Sequence, residues 1–150
     1  MQRSIINQKP LVATLYIVFY LVYESLSSIY LFLPPLFALL FVLYSQALEK
    51  KDFLFLSILI FCLIIYEVNY GYLLFSSIIY FTLVNIFILP KVKKNFNCNF
   101  CIKIFSVFIA YFGYYLFLLL IANVFLLETP SFNYYIIYYI VIELFIVGLL

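Results

Sequence analysis

The hydrophobic residues of this chain form three long blocks that are separated by short clusters of charge. The first block lies between Lys9 and Glu49, the second between Asp52 and Lys91, and the third follows Lys103. A single helix of about 40 residues would be roughly 60 Å long, which is twice the ~30 Å thickness of a bilayer hydrocarbon core. Each block is therefore expected to fold back on itself as a helical hairpin.

Turn-forming residues occur near the middle of each block, where a hairpin needs a connection. The first block contains "ESLSS" and "LPPL", the second contains Asn69 and Gly71, and the third contains "ETPSFN" with Glu128. Proline suits the first turn of a helix, and Asn and Gly suit turns. The chain is thus predicted to be one polytopic membrane domain over residues 1–150, all-α, with six spans at approximately 11–28, 35–48, 53–67, 73–90, 103–127 and 132–150. The second and third spans are short for a full crossing, which predicts tilt, local thinning of the bilayer or partial burial in protein.

Composition supports a membrane environment for these helices. The chain is 69% hydrophobic and 9% charged, with a mean hydropathy of +1.25, whereas about a quarter of the residues of a typical soluble domain are charged. So few charges cannot cover a solvated surface. The sequence therefore predicts an integral membrane protein whose surface mostly faces lipid.

Charge distribution predicts the orientation of the six spans. With six spans, the N-terminal segment and the two connections on its side carry every basic residue, while the opposite connections carry only Glu24, Glu67 and Glu128. The positive-inside rule places the basic side in the cytoplasm, so both termini are predicted to be cytoplasmic. These basic residues are Arg3, Lys9, Lys50, Lys51, Lys91, Lys93, Lys94 and Lys103.

The inventory of reactive side chains argues against an enzyme. Histidine is absent, and the chain has no nucleophile with a nearby base and no glycine-rich phosphate loop. Cys98 and Cys101 form one C-x-x-C pair, but a structural zinc site needs four ligands. We interpret them as free thiols, with a metal site shared with a partner as the alternative. No catalytic residue, cofactor, resident metal or nucleic-acid partner is predicted, and membrane lipid is the expected surrounding.

Glu143 is the one carboxylate that the predicted spans place inside the hydrocarbon, where an ionisable group is costly and often functional. Three roles stay open: structural pairing with another helix, contact with a partner or ligand, and proton coupling. Asn85, in a stripe with Ser77 and Thr82, and Asn123 on the fifth span could donate hydrogen bonds between helices. Structural pairing predicts that Glu143→Gln is nearly silent, whereas proton coupling predicts that it is as damaging as Glu143→Leu.

Glu67 occupies the predicted outer tip of the middle hairpin, in "LIIYEVNYGY". Asn69 and Gly71 follow it closely and are turn residues. We interpret Glu67 as a solvated residue in a turn at the membrane surface, which requires no catalytic explanation.

Three motifs carry a resemblance to a known family: "LPPLFALLFVLYSQAL", an apolar span that opens at Pro35, "LIIYEVNYGYLLF", with Gly71 four residues after Glu67, and the basic "LPKVKKNF". They resemble the second span, the acidic-residue-then-glycine turn and the basic loop of the MreD family of bacterial rod-shape proteins, and the likeness covers most of residues 11–127. The chain departs from the family pattern where Leu36 replaces an Asp and Phe75 replaces a second Gly. It also has Glu67 where the family usually has Asp, and it lacks the common basic tail.

The resemblance implies a non-enzymatic scaffold subunit of the rod-shape and lateral cell-wall synthesis complex in the bacterial cytoplasmic (inner) membrane. Its implied partners are an MreC-like single-span protein, the RodA glycan polymerase, its transpeptidase and MreB filaments. The family's fold resembles the S-components of energy-coupling-factor transporters. The alternative function is therefore an S-component-like subunit that binds a vitamin, although few polar residues lie near the predicted outer openings.

Overall fold

The computed structural model describes residues 8–96, 98–126 and 134–149, and within these ranges the ordered elements are all helices. The predicted all-α class is therefore confirmed for the described residues. The predicted "ETPSFN" loop with Glu128, and Arg3, lie outside them. In the described part of the chain, three helical segments are long and apolar enough to cross a membrane, namely Phe53–Tyr70, Ser76–Asn95 and Phe100–Phe125.

The helices follow one another with short connections. In chain order they are α1 Gln8–Ile29, α2 Phe37–Lys50, α3 Phe53–Tyr70, α4 Ser76–Leu83, α5 Leu89–Asn95, α6 Asn99–Phe108, α7 Tyr114–Phe125 and α8 Tyr135–Leu149. A π-helical segment at Val84–Ile88 joins α4 to α5, and another at Ile109–Gly113 joins α6 to α7. Each pair joined in this way forms one continuous helical rod.

Helix α2 lies at the centre of the bundle. Eight of its 14 residues are buried, and it packs against α3, α4, α6 and α8. Its length of about 21 Å is less than a ~30 Å hydrocarbon core. The helix can be this short because its neighbours, rather than lipid, surround it. Its start is therefore inside protein, where water cannot satisfy the free N–H groups of its first turn.

Aromatic side chains fill the space between these helices. The Phe37 ring lies 4.8 Å from the Tyr66 ring, 5.0 Å from Phe81 and 4.8 Å from Tyr114, measured between centroids. Such offset and tilted arrangements add to the stabilisation that comes from buried area. The first residue of α2 thus contacts α3, α4 and α7 at once.

The two π-helical segments have local causes. Pro90 follows the first segment closely and has no N–H with which to continue the regular bonding pattern. In the second segment, the Tyr80 hydroxyl donates a 2.6 Å hydrogen bond to the Ile109 carbonyl. A Cβ at Gly113 would overlap that hydroxyl. Insertion of a side chain into a helical ladder is a recognised cause of such irregularities, and glycine at position 113 leaves room for it.

The turn after α3 differs in part from the sequence prediction. Gly71 ends the helix with φ +67°, a left-handed conformation that suits glycine. Glu67 and Asn69, however, lie within the last turns of α3, because the helix continues to Tyr70. At the start of α2, Pro35 precedes the helix by two residues instead of lying in its first turn. The residue between them, Leu36, has φ +54°.

Candidate functional site

Glu143 accepts hydrogen bonds from the buried start of α2. Its Oε2 lies 2.7 Å from the Ala38 N and 3.1 Å from the Leu39 N, and its Oε1 lies 3.1 Å from the Phe37 N. The Tyr111 hydroxyl donates to Oε1 as well. The carboxylate is fully buried. Glu143 on α8 therefore caps α2 from a position more than a hundred residues away, and its negative charge meets the positive end of the helix dipole.

Glu67 has the same role at the start of α4. Its Oε2 accepts from the Phe75 N at 2.7 Å, and its Oε1 accepts from the Ser77 N at 2.6 Å. The Ser77 and Ser76 hydroxyls donate to Oε1 at 2.6 and 3.2 Å. The side chain is fully buried. The prediction of a solvated Glu67 was therefore wrong, because the turn after α3 folds the next helix start onto the carboxylate and excludes water.

The two capped helices share a feature that sequence analysis missed. The N-cap residues, Leu36 and Phe75, have left-handed backbones and no side-chain oxygen that could cap the helix. A helix start without a local Ser, Thr, Asp or Asn needs another acceptor when it is buried. A helix start without a local cap, together with an isolated acid elsewhere in an apolar chain, was the sequence signal that could have predicted these capping contacts.

Glu24 contrasts with the two capping carboxylates. It is fully buried in α1, but within the described part of the chain neither of its carboxylate oxygens has a hydrogen-bond partner. The nearby Tyr20 hydroxyl is in the same condition. Other polar groups of this hairpin are satisfied, since Tyr23 donates to the Pro34 carbonyl at 2.8 Å and Ser27 donates to the Leu33 carbonyl at 3.0 Å. Glu24 thus lies beside the Tyr20 hydroxyl in an apolar setting, without a hydrogen bond of good geometry to any described residue.

The other residues that were predicted to form hydrogen bonds between helices differ in what they contact. Ser77 reaches Glu67, and the Thr82 hydroxyl lies 3.0 Å from the Tyr44 hydroxyl of α2, so both connect helices. Asn85 instead donates to the Phe81 carbonyl of its own helical rod at 2.8 Å, and Asn123 is exposed on α7. The expectation that these two asparagines bridge helices is not met among the described residues. Neither asparagine contacts Glu143, because backbone N–H groups and Tyr111 take its oxygens.

The C-x-x-C pair lies before and at the start of α6. Cys98 is exposed and Cys101 half-buried, and a hydrogen bond from the Cys101 side chain lowers the pKa of the Cys98 thiol. Within residues 8–96, 98–126 and 134–149, no group of three or more His, Cys, Asp or Glu side chains is placed to hold a metal ion.

A cleft opens near the other end of α2, where a lysine from each of α5 and α6 lies. Lys93 of α5 forms an ion pair with Glu49 of α2, and Lys103 of α6 lines the same cleft. Its volume is about 210 Å³, and its walls combine aliphatic, hydroxyl, amide and charged side chains. Among the described residues, the capped helix starts and the lysine-lined cleft are thus separate polar regions.

The chain matches no protein-family model, no curated protein and no solved structure.

Proposed function

We propose that this chain is a non-enzymatic membrane scaffold of the MreD kind, with six spans and both termini in the bacterial cytoplasm. In this role it would hold an MreC-like single-span protein in the lateral wall synthesis complex through contacts between helices. RodA, its transpeptidase and MreB filaments would be further members of the same assembly.

The observation that carries the proposal is the structural use of the buried carboxylates. Glu67 and Glu143 each accept at least three hydrogen bonds at a helix start. Acids that could have served proton transfer or substrate binding are thereby committed to holding two helices in place. A bundle whose buried carboxylates bind its own helix starts suits a protein that works by presenting helices to partners.

Backbone conformation at two departures from the family pattern also supports the proposal. Phe75 stands where the family resemblance expects a glycine, and its φ is +68°. Leu36 stands where an Asp is expected, and it is the N-cap residue of α2. Glycine tolerates a left-handed backbone and Asp is a preferred N-cap. The residues expected from the family thus suit the local geometry of this chain.

The arrangement of basic residues supports the proposed orientation. Lys93 and Lys103 line one cleft with Glu49, and Lys50 and Lys51 end α2 beside it along the chain. The turn with Gly71 follows the end of α3, whereas Lys51 lies just before the start of that helix. One lysine-rich end and an opposite end that carries no described Lys or Arg are what a multi-pass protein with a cytoplasmic basic face would have.

Affinity purification tests this function. The full chain, tagged at one terminus and expressed at native level, is extracted in mild detergent, with an unrelated six-span protein carrying the same tag as the control. We expect co-purification of a single-span protein with a large extracytoplasmic part, together with wall-synthesis enzymes. Recovery of a transporter ATPase pair without wall-synthesis proteins would contradict the scaffold function and favour a vitamin-transport subunit.

A further inference from the structure

The cleft at the basic end is built from matching faces of three helices. Helix α2 contributes Val42, Ser45, Gln46 and Glu49, which share one helical face. Helix α5 contributes Leu89 and Lys93, and α6 contributes Ile102, Lys103 and Ser106. From Val42 to Glu49 the cleft follows α2 for about 10 Å at 1.5 Å per residue. It therefore has the length of a small headgroup.

Exposure and polarity change together along the cleft. Val42, Leu89 and the two serines are buried, whereas Glu49 and Lys93 are exposed at the mouth. The Ser45 hydroxyl donates to the Phe41 carbonyl at 2.9 Å, and the Ser106 hydroxyl donates to the Ile102 carbonyl at 2.7 Å. Each hydroxyl has used its proton, so its oxygen remains available as an acceptor. The floor is thus suited to aliphatic groups and to ligand hydroxyls.

The charges of the cleft favour an anion. Lys93 is paired with Glu49, while Lys103 is half-buried and forms no ion pair with a described residue. Two lysines and one carboxylate leave a single net positive charge, which matches the single negative charge of a phosphodiester. A partly buried ammonium group without a partner is unfavourable, so an anion that reached Lys103 would relieve that cost.

We propose that this cleft binds the phosphodiester headgroup of an anionic phospholipid, with Lys103 as its main cationic contact. Lys93 is the second cation, and the oxygens of Ser45 and Ser106 accept from headgroup hydroxyls. Basic pockets between spanning helices on the cytoplasmic side are known headgroup sites. The proposal rests on membrane insertion and on the basic end, and it does not depend on the scaffold function.

Lipid titration of the purified full chain tests the site. Thermal unfolding in detergent is followed while short-chain phosphatidylglycerol is added, and phosphatidylcholine of equal chain length serves as the lipid control. Lys103→Gln is expected to weaken the apparent affinity for phosphatidylglycerol by about five-fold, the effect of one lost cation near a phosphate. Lys94→Gln removes the same charge from an exposed position outside the cleft and is expected to change the affinity less than about two-fold.

A third variant acts in the opposite direction. Glu49→Gln removes the carboxylate that occupies Lys93, so phosphatidylglycerol is expected to bind more tightly than to the parent chain. Equal effects of Lys103→Gln and Lys94→Gln, or weaker binding to Glu49→Gln, would overturn the proposal. Stabilisation by inorganic phosphate or glycerol phosphate without any effect of phosphatidylglycerol would overturn the lipid assignment. Partner recovery plays no part in this measurement, so its result is separate from that of the purification.

Discussion

The three buried glutamates among the described residues have different surroundings, although each appears in the sequence as an isolated charge in an apolar run. Glu67 and Glu143 each receive several donors from the start of a helix, whereas Glu24 receives none among the described residues. For Glu143 the structure favours structural pairing among the three roles that the sequence left open. A buried polar group is costly unless it is hydrogen-bonded, so substitutions at these positions should have opposite effects.

Substitution of Glu143 should destabilise the bundle in a graded manner. Both carboxylate oxygens accept hydrogen bonds, so the amide of Glu143→Gln turns one acceptor into a donor that faces backbone N–H groups. We expect a loss of about 1–3 kcal/mol for Gln and a larger loss for Leu, which leaves every donor unsatisfied. This expectation replaces the one from sequence, in which structural pairing of Glu143 made Glu143→Gln nearly silent. Denaturant unfolding in detergent measures both losses, and a Gln variant as stable as the parent would contradict the capping role.

Substitution of Glu24 provides the matched comparison. Glu24→Leu removes a fully buried carboxylate whose oxygens have no partner in the described structure. We expect unchanged or increased stability, because replacing a poorly compensated buried charge by an apolar side chain is often neutral or stabilising. The same unfolding measurement applies. Destabilisation comparable to that of Glu143→Leu would contradict this expectation and would mean that the neighbouring Tyr20 hydroxyl compensates Glu24.

The starts of α2 and α4 show how helices can begin inside a bundle without local caps. Each begins after a non-glycine residue with a left-handed backbone, Leu36 or Phe75. A conformation of this kind is unfavourable for such residues by about 1–2 kcal/mol. It persists because it aims the first N–H groups of the helix at a carboxylate on another element. Local backbone preference is thus overridden by a tertiary contact.

Phe75→Gly should be tolerated better than a glycine substitution at a neighbouring position of equal exposure. Phe75 is 53% exposed, so part of its packing is lost, but glycine adopts φ +68° without the steric penalty of a Cβ. We expect relief of the left-handed conformation to offset about 1–2 kcal/mol of that loss. Leu74→Gly is the control, because Leu74 is 56% exposed and its φ is not positive. That variant should lose up to about 1 kcal/mol through the greater freedom of the unfolded chain, and equal effects of the two would refute the explanation.

Gly113→Ala should destabilise the junction between α6 and α7. The added Cβ would overlap the Tyr80 hydroxyl, which holds the Ile109 carbonyl. Overpacking of this kind costs about 1–3 kcal/mol. Tyr80→Phe removes the clashing atom and about 1 kcal/mol of hydrogen bonding. The double variant is therefore expected to lose less than the sum of the two single losses, and strict additivity would show that the two residues do not meet.

The whole molecule combines a central helix, a surrounding set of longer apolar helices and an uneven distribution of charge. Helix α2 is too short to span a bilayer but is the most enclosed element. The helices around it expose large apolar side chains, such as Phe19 at 70% and Phe145 at 74%. Such exposure is compatible with lipid contact rather than with water. The proposed topology follows if the lysine-rich end faces the cytoplasm.

Cysteine labelling can test this orientation. One variant keeps only Cys98, which is exposed and whose pKa is lowered by the hydrogen bond from Cys101 in the parent chain. The other lacks all three cysteines and carries Asn69→Cys. Position 69 is exposed and lies in the last turn of α3, at the end away from Lys50 and Lys51. A membrane-impermeant maleimide should label Cys98 only in inverted vesicles and the residue at 69 only in intact spheroplasts. Labelling of both from the same side would exclude the proposed arrangement.

The helical elements follow directly from the amino-acid sequence. Runs such as "FLFLSILIFCLIIY" are apolar over their whole length, and residues such as Gly71 end them, because hydrophobicity and turn preference are properties of neighbouring residues. The positions of the helices and the apolar character of their surface were accessible for the same reason. The shortness of the second span was also visible in the sequence, but tilt, local thinning of the bilayer and burial in protein were equally open explanations, and burial is the one that α2 shows.

Only the tertiary structure established what the polar residues do. Glu143 and the N–H groups of α2 are separated by 104 to 106 positions, and nothing local to either segment specifies that they meet. The same holds for Lys103 and Glu49, which share a cleft because α2 and α6 pack side by side. The sequence marks which groups are unusual in an apolar chain. Helix packing determines which of them become satisfied, because hydrogen bonds between distant segments form only where the bundle places donor and acceptor within about 3 Å of each other.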